Sequence, residues 1–241
     1  MKALIDLDIL TYELGGAFED SSGRTITDPD DPAVMQRVYG KIQYILRRTE
    51  ASGWQGFLTN SESNFRLAAA TLRPYKGTRK SEKPIFHKTI RYKLNSMPNV
   101  SMSIGQEADD DIGIYQAENG KLPPEKCDTI ICSRDKDLRM IPGWHFGWKV
   151  GNQKEYGPVY LSQLDCDKNF YCQVLTGDTS DNIPGLYGVG PKSACVKKVQ
   201  ACTTGLDMES IVIGEYKARF DSAWQRFYNE NHELLWIRRH D

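Results

Sequence analysis

The run Thr176-Gly-Asp178-Thr-Ser-Asp181-Asn-Ile-Pro-Gly185-Leu-Tyr-Gly188-Val-Gly190-Pro-Lys192-Ser-Ala194 decides the reading of the chain, because it sets a seat for a metal beside a seat for a phosphate. Asp178 and Asp181, three residues apart, can lie on one face of a helical turn and point two carboxylates at a single oxygen-bound ion. Gly185, Gly188 and Gly190 permit a tight hairpin with bare backbone N–H groups facing outward. Pro191 suits the first position of a new helix. A hairpin leading into a helix N-terminus is an anion site, and Gly188, Val189, Gly190, Lys192 and Ser193 are its candidate contacts to a phosphate.

The 241 residues around this run are 39% hydrophobic and 26% charged, enough for one substantial core and too apolar for a disordered chain. No uninterrupted apolar stretch approaches the length of a bilayer span, so no membrane association and a cytoplasmic location are expected, the host cytoplasm if the protein is virus-encoded. Six cysteines, Cys127, Cys132, Cys166, Cys172, Cys195 and Cys202, lack C-x-x-C spacing and read as reduced thiols rather than a zinc site or a disulfide framework. A net charge of -1 excludes a protein that coats nucleic acid by bulk electrostatics. The charge is unevenly spread, however. From Arg73 to Lys93, eight basic residues (Arg73, Lys76, Arg79, Lys80, Lys83, Lys88, Arg91 and Lys93) stand against one acid, Glu82. Taken alone, such a run is as readily a solvated helix face as a nucleic-acid contact.

Working outward, acids recur where buried strands end. Ala3-Leu-Ile-Asp6-Leu-Asp8 reads as a strand that delivers Asp6 at its C-terminal edge, the edge where open α/β sheets bind ligands, with Asp8 as a cap for the helical run that follows. A helix starts near Pro32, capped by Asp31, and runs to Gly53. Trp54 to Thr59 is the second parallel strand. Asn99 to Ile104 alternates like a strand and leads to Glu107, Asp109, Asp110 and Asp111, four acids in five residues at a helix start. The helix dipole accounts for one or two of them. Two unit charges ~4 Å apart repel by ~4 kcal/mol at an effective dielectric of ~20, so converging carboxylates need a counter-cation. Asp128 to Ser133 is the next buried strand, and Asp135 and Asp137 follow it as alternate carboxylates, with Lys136 pointing away. Ile141 to Trp148 reads as a final hairpin or edge strand, in which His145 serves packing. Lys192 to Cys202 is a helix with Lys197 and Lys198 for phosphates, and Phe220, Trp224, Phe227 and Tyr228 are core aromatics of one or two more helices.

The motif GD-x-SDN-x-PG-x-x-G-x-G-x-K-x-A, the E-A-D-D acids and the D-x-D-L pair together resemble the 5′ nuclease family, which includes flap endonucleases, the 5′ nuclease domain of DNA polymerase I and phage 5′-3′ exonucleases. The resemblance covers nearly the whole chain and points to a phage-type member. It implies a PIN-like α/β core over residues 1–168, with a mostly parallel sheet flanked by helices and a basic helical arch over about 73–95. A helical subdomain over 169–241 would hold a helix-three-turn-helix at about 177–202. Asp6, Glu107, Asp109, Asp110, Asp135, Asp137, Asp178 and Asp181 would bind two divalent cations, Mg²⁺ or Mn²⁺, and a K⁺ ion would sit at the helix-three-turn-helix. Tyr75 would stack on a base while Lys76 and Arg79 clamp the scissile phosphate, and Lys80 and Lys83 would extend the track for DNA. The implied activity is a structure-specific 5′-3′ exonuclease and flap endonuclease acting on duplex or branched DNA with a 5′ single-stranded end, and on RNA-DNA hybrid at primers. A free-standing monomer is expected. One departure is visible: the family's aspartate at the end of the second strand is replaced here by Thr59 or Asn60, with Glu62 nearby. The alternatives are therefore a DNA junction binder with a weakened active site and a PIN-like ribonuclease.

Overall fold

The computed structural model describes residues 1–60, 63–79, 82–120 and 123–240. Strand β1 (Lys2–Asp6) passes directly into α1 (Leu7–Leu14), because the Asp6 side chain accepts the Asp8 and Ile9 N–H groups and caps the helix. A short hairpin, β2 (Phe18–Glu19) and β3 (Thr25–Ile26), precedes α2 (Pro32–Thr49). Asp31 caps α2 as expected, but the helix stops at Thr49, where Glu50 takes a left-handed conformation, and not at Gly53. There follow β4 (Gly53–Leu58), α3 (Phe65–Ala69), α4 (His87–Asn95), β5 (Val100–Met102), α5 (Ala108–Asn119), β6 (Thr129–Cys132), β7 (Gly143–Gly147) and β8 (Tyr156–Leu161). The chain ends in α6 (Gln163–Thr176), α7 (Ala194–Ala201), α8 (Gly205–Phe220) and α9 (Trp224–Leu235).

Among the described residues the main sheet has the order β5-β4-β1-β6-β7-β8, parallel throughout except for the β7-β8 pair. It is the expected mostly parallel α/β core. The expected edge strand is instead interior, since β7 is covered by β8, an element whose Gly157 and Pro158 hide its strand character from a sequence reading. His145 is buried in β7, where its Nε2 lies 2.8 Å from the Ile141 carbonyl and burial pushes its pKa down to about 4. The eight-cation run is not one arch helix. Residues 73–79 form turns, and helix begins only at His87, with Ile90 and Leu94 buried against the core. Lys80 lies outside the described residues. No helix among the described residues is long and apolar enough to cross a membrane.

Each face of the sheet has its own core. One buries Ile5, Leu7, Val38, Ile45, Phe86 and Trp148 under α1, α2 and α4. The other joins Leu4, Phe57 and Ile112 to Val174, Val196, Tyr216 and Leu234 of the C-terminal helices. The expected boundary after residue 168 therefore falls inside α6, in a helix that belongs to a shared core. Phe220 stacks on Phe227 at 4.0 Å and Tyr228 is buried, in keeping with core aromatics.

The C-terminal tail closes onto the sheet through a buried ion pair. Arg66 Nη1 and Nη2 donate to Asp110 at 2.5 and 2.9 Å, while its Nε reaches the Leu234 carbonyl and Nη2 that of Trp236. Asp110 also accepts the N–H groups of Glu107 and Arg238. Removing one partner of a dry pair strands the other charge, a loss of about 3 to 5 kcal/mol. Arg66→Met is expected to lower the unfolding free energy from urea titration by that margin, shifting the midpoint down, and adding Asp110→Leu is expected to recover much of it; equal midpoints for the wild type and the single variant would contradict the assignment.

Candidate active site

The C-terminal edge of β1, β4 and β6 opens into a cleft of about 760 Å³ lined by Asp6, Asp8, Thr59, Tyr75, Lys76, Arg79, Lys83, Arg91, Glu107, Asp109 and Asp135. Parallel strands make this edge by ending together, so residues far apart in sequence meet there. Asp6 is only 2% exposed. Its Oδ1 accepts the Asp8 and Ile9 N–H groups, and Oδ2 accepts the Ser133 hydroxyl at 2.7 Å. Burial, with Asp8 and Asp135 nearby, still drives its pKa up to about 7. Asp135 is raised to about 6 by burial and by Asp137. Asp109, on the first turn of α5, is raised well above the carboxylate range by burial and by Asp6, Asp135 and Glu107. Among the described residues nothing hydrogen-bonds to its carboxylate and no cation pairs with it.

The other acids carry cations of the protein. The Tyr75 hydroxyl oxygen lies 2.9 Å from Glu107 Oε2 and 2.8 Å from Asp181 Oδ2, with its one proton shared between the two carboxylates. Lys76 pairs with Glu107, and Arg79 Nη2 lies 2.6 Å from Asp181. The Lys76 N–H donates to the Asp181 carbonyl with Lys76 at φ 55°, a left-handed conformation that costs a non-glycine residue ~1 to 2 kcal/mol. Lys136 Nζ lies 2.5 Å from Asp178 and 2.9 Å from Asp137. Burial raises the Asp178 pKa, but the Lys136 and Ser180 hydrogen bonds outweigh it and hold Asp178 at about 2.

Three expectations need correction. Asp110 does not face the cleft, because Arg66, two backbone N–H groups and the closing tail use both of its oxygens. Tyr75 is 7% exposed and held by two carboxylates, so it anchors the turn and has no free face for a base. Lys136 does not point away, since its Nζ reaches the buried Asp178 carboxylate and the half-buried one of Asp137, although its stem stays exposed. The missing acid at Thr59 also has a counterpart. Thr59 directly follows β4, and its N–H donates to Asp8 Oδ2 at 2.9 Å, so α1 supplies a carboxylate at the end of this strand. Arg91 pairs with that carboxylate. The cap of α1 is Asp6 rather than the expected Asp8, which lines the cleft instead; Arg66 and Arg91 carried no local signal.

The glycine run leaves α6 through Gly177, and Asp178 bridges Ile183 in an antiparallel pair. Gly177 and Gly185 touch backbone to backbone, where a Cβ on Gly185 would stand 2.2 Å from the Gly177 nitrogen. Around Gly188 and Gly190, by contrast, an added Cβ meets nothing within 4 Å. The Cα atoms of this turn face open solvent with Lys192 exposed beside them, but the N–H groups of Val189 and Gly190 are not bare as expected, being taken by the Leu186 carbonyl and the Ser193 hydroxyl. Pro191 and Lys192 lie in a turn, and the helix begins at Ala194, because the Ser193 hydroxyl turns back to accept the Gly190 N–H at 2.9 Å. Asn182 donates to the Pro74 carbonyl, which ties this loop to the cleft rim.

A parallel sheet with acids at its C-terminal edge, beside a glycine hairpin between two helices, is the fold of the 5′ nucleases. By sequence the chain is 33% identical over 105 residues to flap endonuclease Xni of Shewanella sp. (strain MR-4), covering 42% of this chain and 39% of that protein. It is 33% identical over 127 residues to the 5′-3′ exonuclease of Buchnera aphidicola subsp. Baizongia pistaciae, covering 47% and 36% respectively. The matched stretches thus span well under half of these relatives' own length. No protein-family model matches. In three dimensions, a T5 5′-exonuclease with bound zinc ions superposes with a TM-score of 0.60 at 18% identity, over 98% of this chain and 86% of that one. Flap endonuclease-1 from Methanococcus jannaschii gives 0.57 at 12% identity, over 100% and 79%. The relatives that match part of the sequence and the structures that match the fold are all named as 5′ nucleases.

Among the described residues no three histidine, cysteine or acidic side chains already stand close enough to grip one ion. The donor set nevertheless fits a divalent cation: hard carboxylate oxygens, crowded enough to resist ionisation, with Asp109 lacking any partner. Asp109→Asn is expected to raise the melting temperature of metal-free protein, by about 2 to 4 °C for each kcal/mol of repulsion relieved, and to lose most of the rise that Mn²⁺ produces in the wild type. Calorimetry with and without Mn²⁺ reads both effects, and a lower metal-free melting point would count against the crowding.

Proposed function

We propose that this protein is a structure-specific 5′-3′ nuclease and flap endonuclease that hydrolyses phosphodiester bonds near the 5′ end of duplex or branched DNA with Mg²⁺ or Mn²⁺. The observation that carries the reading is the partnerless Asp109 carboxylate in a cleft shared with Asp6 and Asp135, rimmed by Lys76, Arg79 and Lys83. Asp6, Glu107, Asp109 and Asp135 are the residues to hold one ion, and Asp137, Asp178 and Asp181 a second. When bound, such ions supply an acidified water and a Lewis acid for the leaving 3′ oxygen. The chain itself supplies position. Tyr75 fixes the turn that presents Lys76 and Arg79, whose donors are then available to a phosphate once metal takes over Glu107 and Asp181.

Substrate choice follows from backbone contact. Gly188 to Ser193 would hold a duplex through its phosphates, with a K⁺ ion belonging to the same reading, and Lys197 and Lys198 on α7 extend the track. Base edges are not needed, so the shape of the junction selects the target, and an RNA primer paired with DNA is accepted on the same terms.

Two measurements test this on a 5′-labelled flap. Asp109→Asn and Asp178→Asn are expected to reduce Mg²⁺-dependent cleavage below detection while binding the duplex normally; cleavage at wild-type rates by both removes the catalytic assignment. A Cβ at Gly190 meets nothing within 4 Å, so Gly190→Val is expected to keep the wild-type melting temperature. Its duplex affinity is expected to fall about tenfold, equivalent to about 1.4 kcal/mol, and unchanged affinity would place the duplex elsewhere.

A further inference from the structure

The acids proposed to hold metal are not equally available. Among the described residues Asp109 has no hydrogen-bond or ion-pair partner, whereas the facing oxygens of Asp137 and Asp178 are bridged twice. Lys136 Nζ donates to Asp137 Oδ1 at 2.9 Å and to Asp178 Oδ2 at 2.5 Å. Gln173 Nε2 donates to the same two oxygens at 2.9 and 3.0 Å. The remaining oxygen of Asp178 accepts from the Ser180 hydroxyl and from the N–H groups of Ser180 and Asp181. Asp178 is therefore saturated. Of its donors, Lys136 alone is charged, and its side chain is 63% exposed against 3% for that of Asp178. The ammonium reaches in from solvent on a flexible stem and can swing back out, while Gln173 and the backbone donors are part of α6 and its loop.

We propose that Lys136 is a tethered counter-cation for the Asp137–Asp178 pair, which a divalent ion must displace before it can occupy that second seat. Two consequences follow from charge alone. The buried pair is compensated without metal, so this half of the site is formed before any ion arrives. The two seats differ in affinity, because among the described residues only Glu107 of the first seat is paired with a protein cation, whereas Asp137, Asp178 and Asp181 of the second all are, with Lys136 held at hydrogen-bond distance between two of them.

The inference rests on the divalent-ion reading above, and its test separates the two. Free Mn²⁺ is followed by electron paramagnetic resonance during titration of the metal-free, DNA-free protein, as wild type, Lys136→Met and Lys136→Arg. The wild type is expected to bind one Mn²⁺ tightly and a second at least tenfold more weakly. Lys136→Met is expected to tighten the second site at least tenfold and leave the first unchanged, with Lys136→Arg resembling the wild type. Melting supplies an independent readout: Lys136→Met should melt below the wild type without metal and gain more from Mn²⁺. A tight first site with the same second-site affinity in wild type and Lys136→Met overturns the role of Lys136 alone. Equal melting of the two metal-free proteins also overturns it. Absence of any Mn²⁺ binding by the wild type overturns both this inference and the nuclease reading.

Discussion

Negative charge gathered at one edge of a parallel sheet is the constraint on which the rest of this structure depends. β1, β4 and β6 end side by side, and Asp6, Asp135 and the first turn of α5 bring carboxylates to the same cleft. At an effective dielectric of ~20, each close pair of like charges costs ~4 kcal/mol. Different acids escape that cost in different ways. Asp6 is steadied by two backbone N–H groups and the Ser133 hydroxyl. Glu107, Asp137, Asp178 and Asp181 borrow lysines and an arginine. Asp109 has no such device, which makes it the point of greatest demand for an external cation.

The cleft and the glycine hairpin form one mechanical unit. Tyr75 bridges Glu107 of the sheet side and Asp181 of the hairpin side, and the Asn182 amide holds the Pro74 carbonyl. Beneath them, one hydrophobic core runs from Leu4 and Ile112 to Tyr216 and Leu234. Gly188 and Gly190 are consequently held in register with the acids without a flexible linker between the two. Glu230 adds to this coupling, since its carboxylate accepts the N–H groups of Thr71 and Leu72 and fixes the segment that leads to Tyr75.

Local chemistry was legible from the sequence alone. Asp31 before Pro32 announced the start of α2, short apolar runs closed by acids marked β1 and β6, and the spacing of Gly188 and Gly190 marked a turn whose Cα atoms face solvent. These signals lie within a few residues of what they specify, because caps, strand runs and turns are set by near neighbours. The motif resemblance added the family and the set of acids to inspect.

Which acid faces which partner was decided only by tertiary structure. Asp109 and Asp110 are adjacent and identical in type, yet one is left without a partner in the cleft and the other is locked to Arg66, which lies 44 residues away in sequence. Asp8 reaches Thr59 across two elements, and Lys136 turns inward only because Asp178, 42 residues on, is buried beside Asp137. A residue's type supplies its charge, and its place in the helix turn sets the direction in which that charge points. The counter-charge comes from a remote segment that the packed core alone brings within reach, so the sequence determined the acids and their family while the fold decided which of them remain open to a metal.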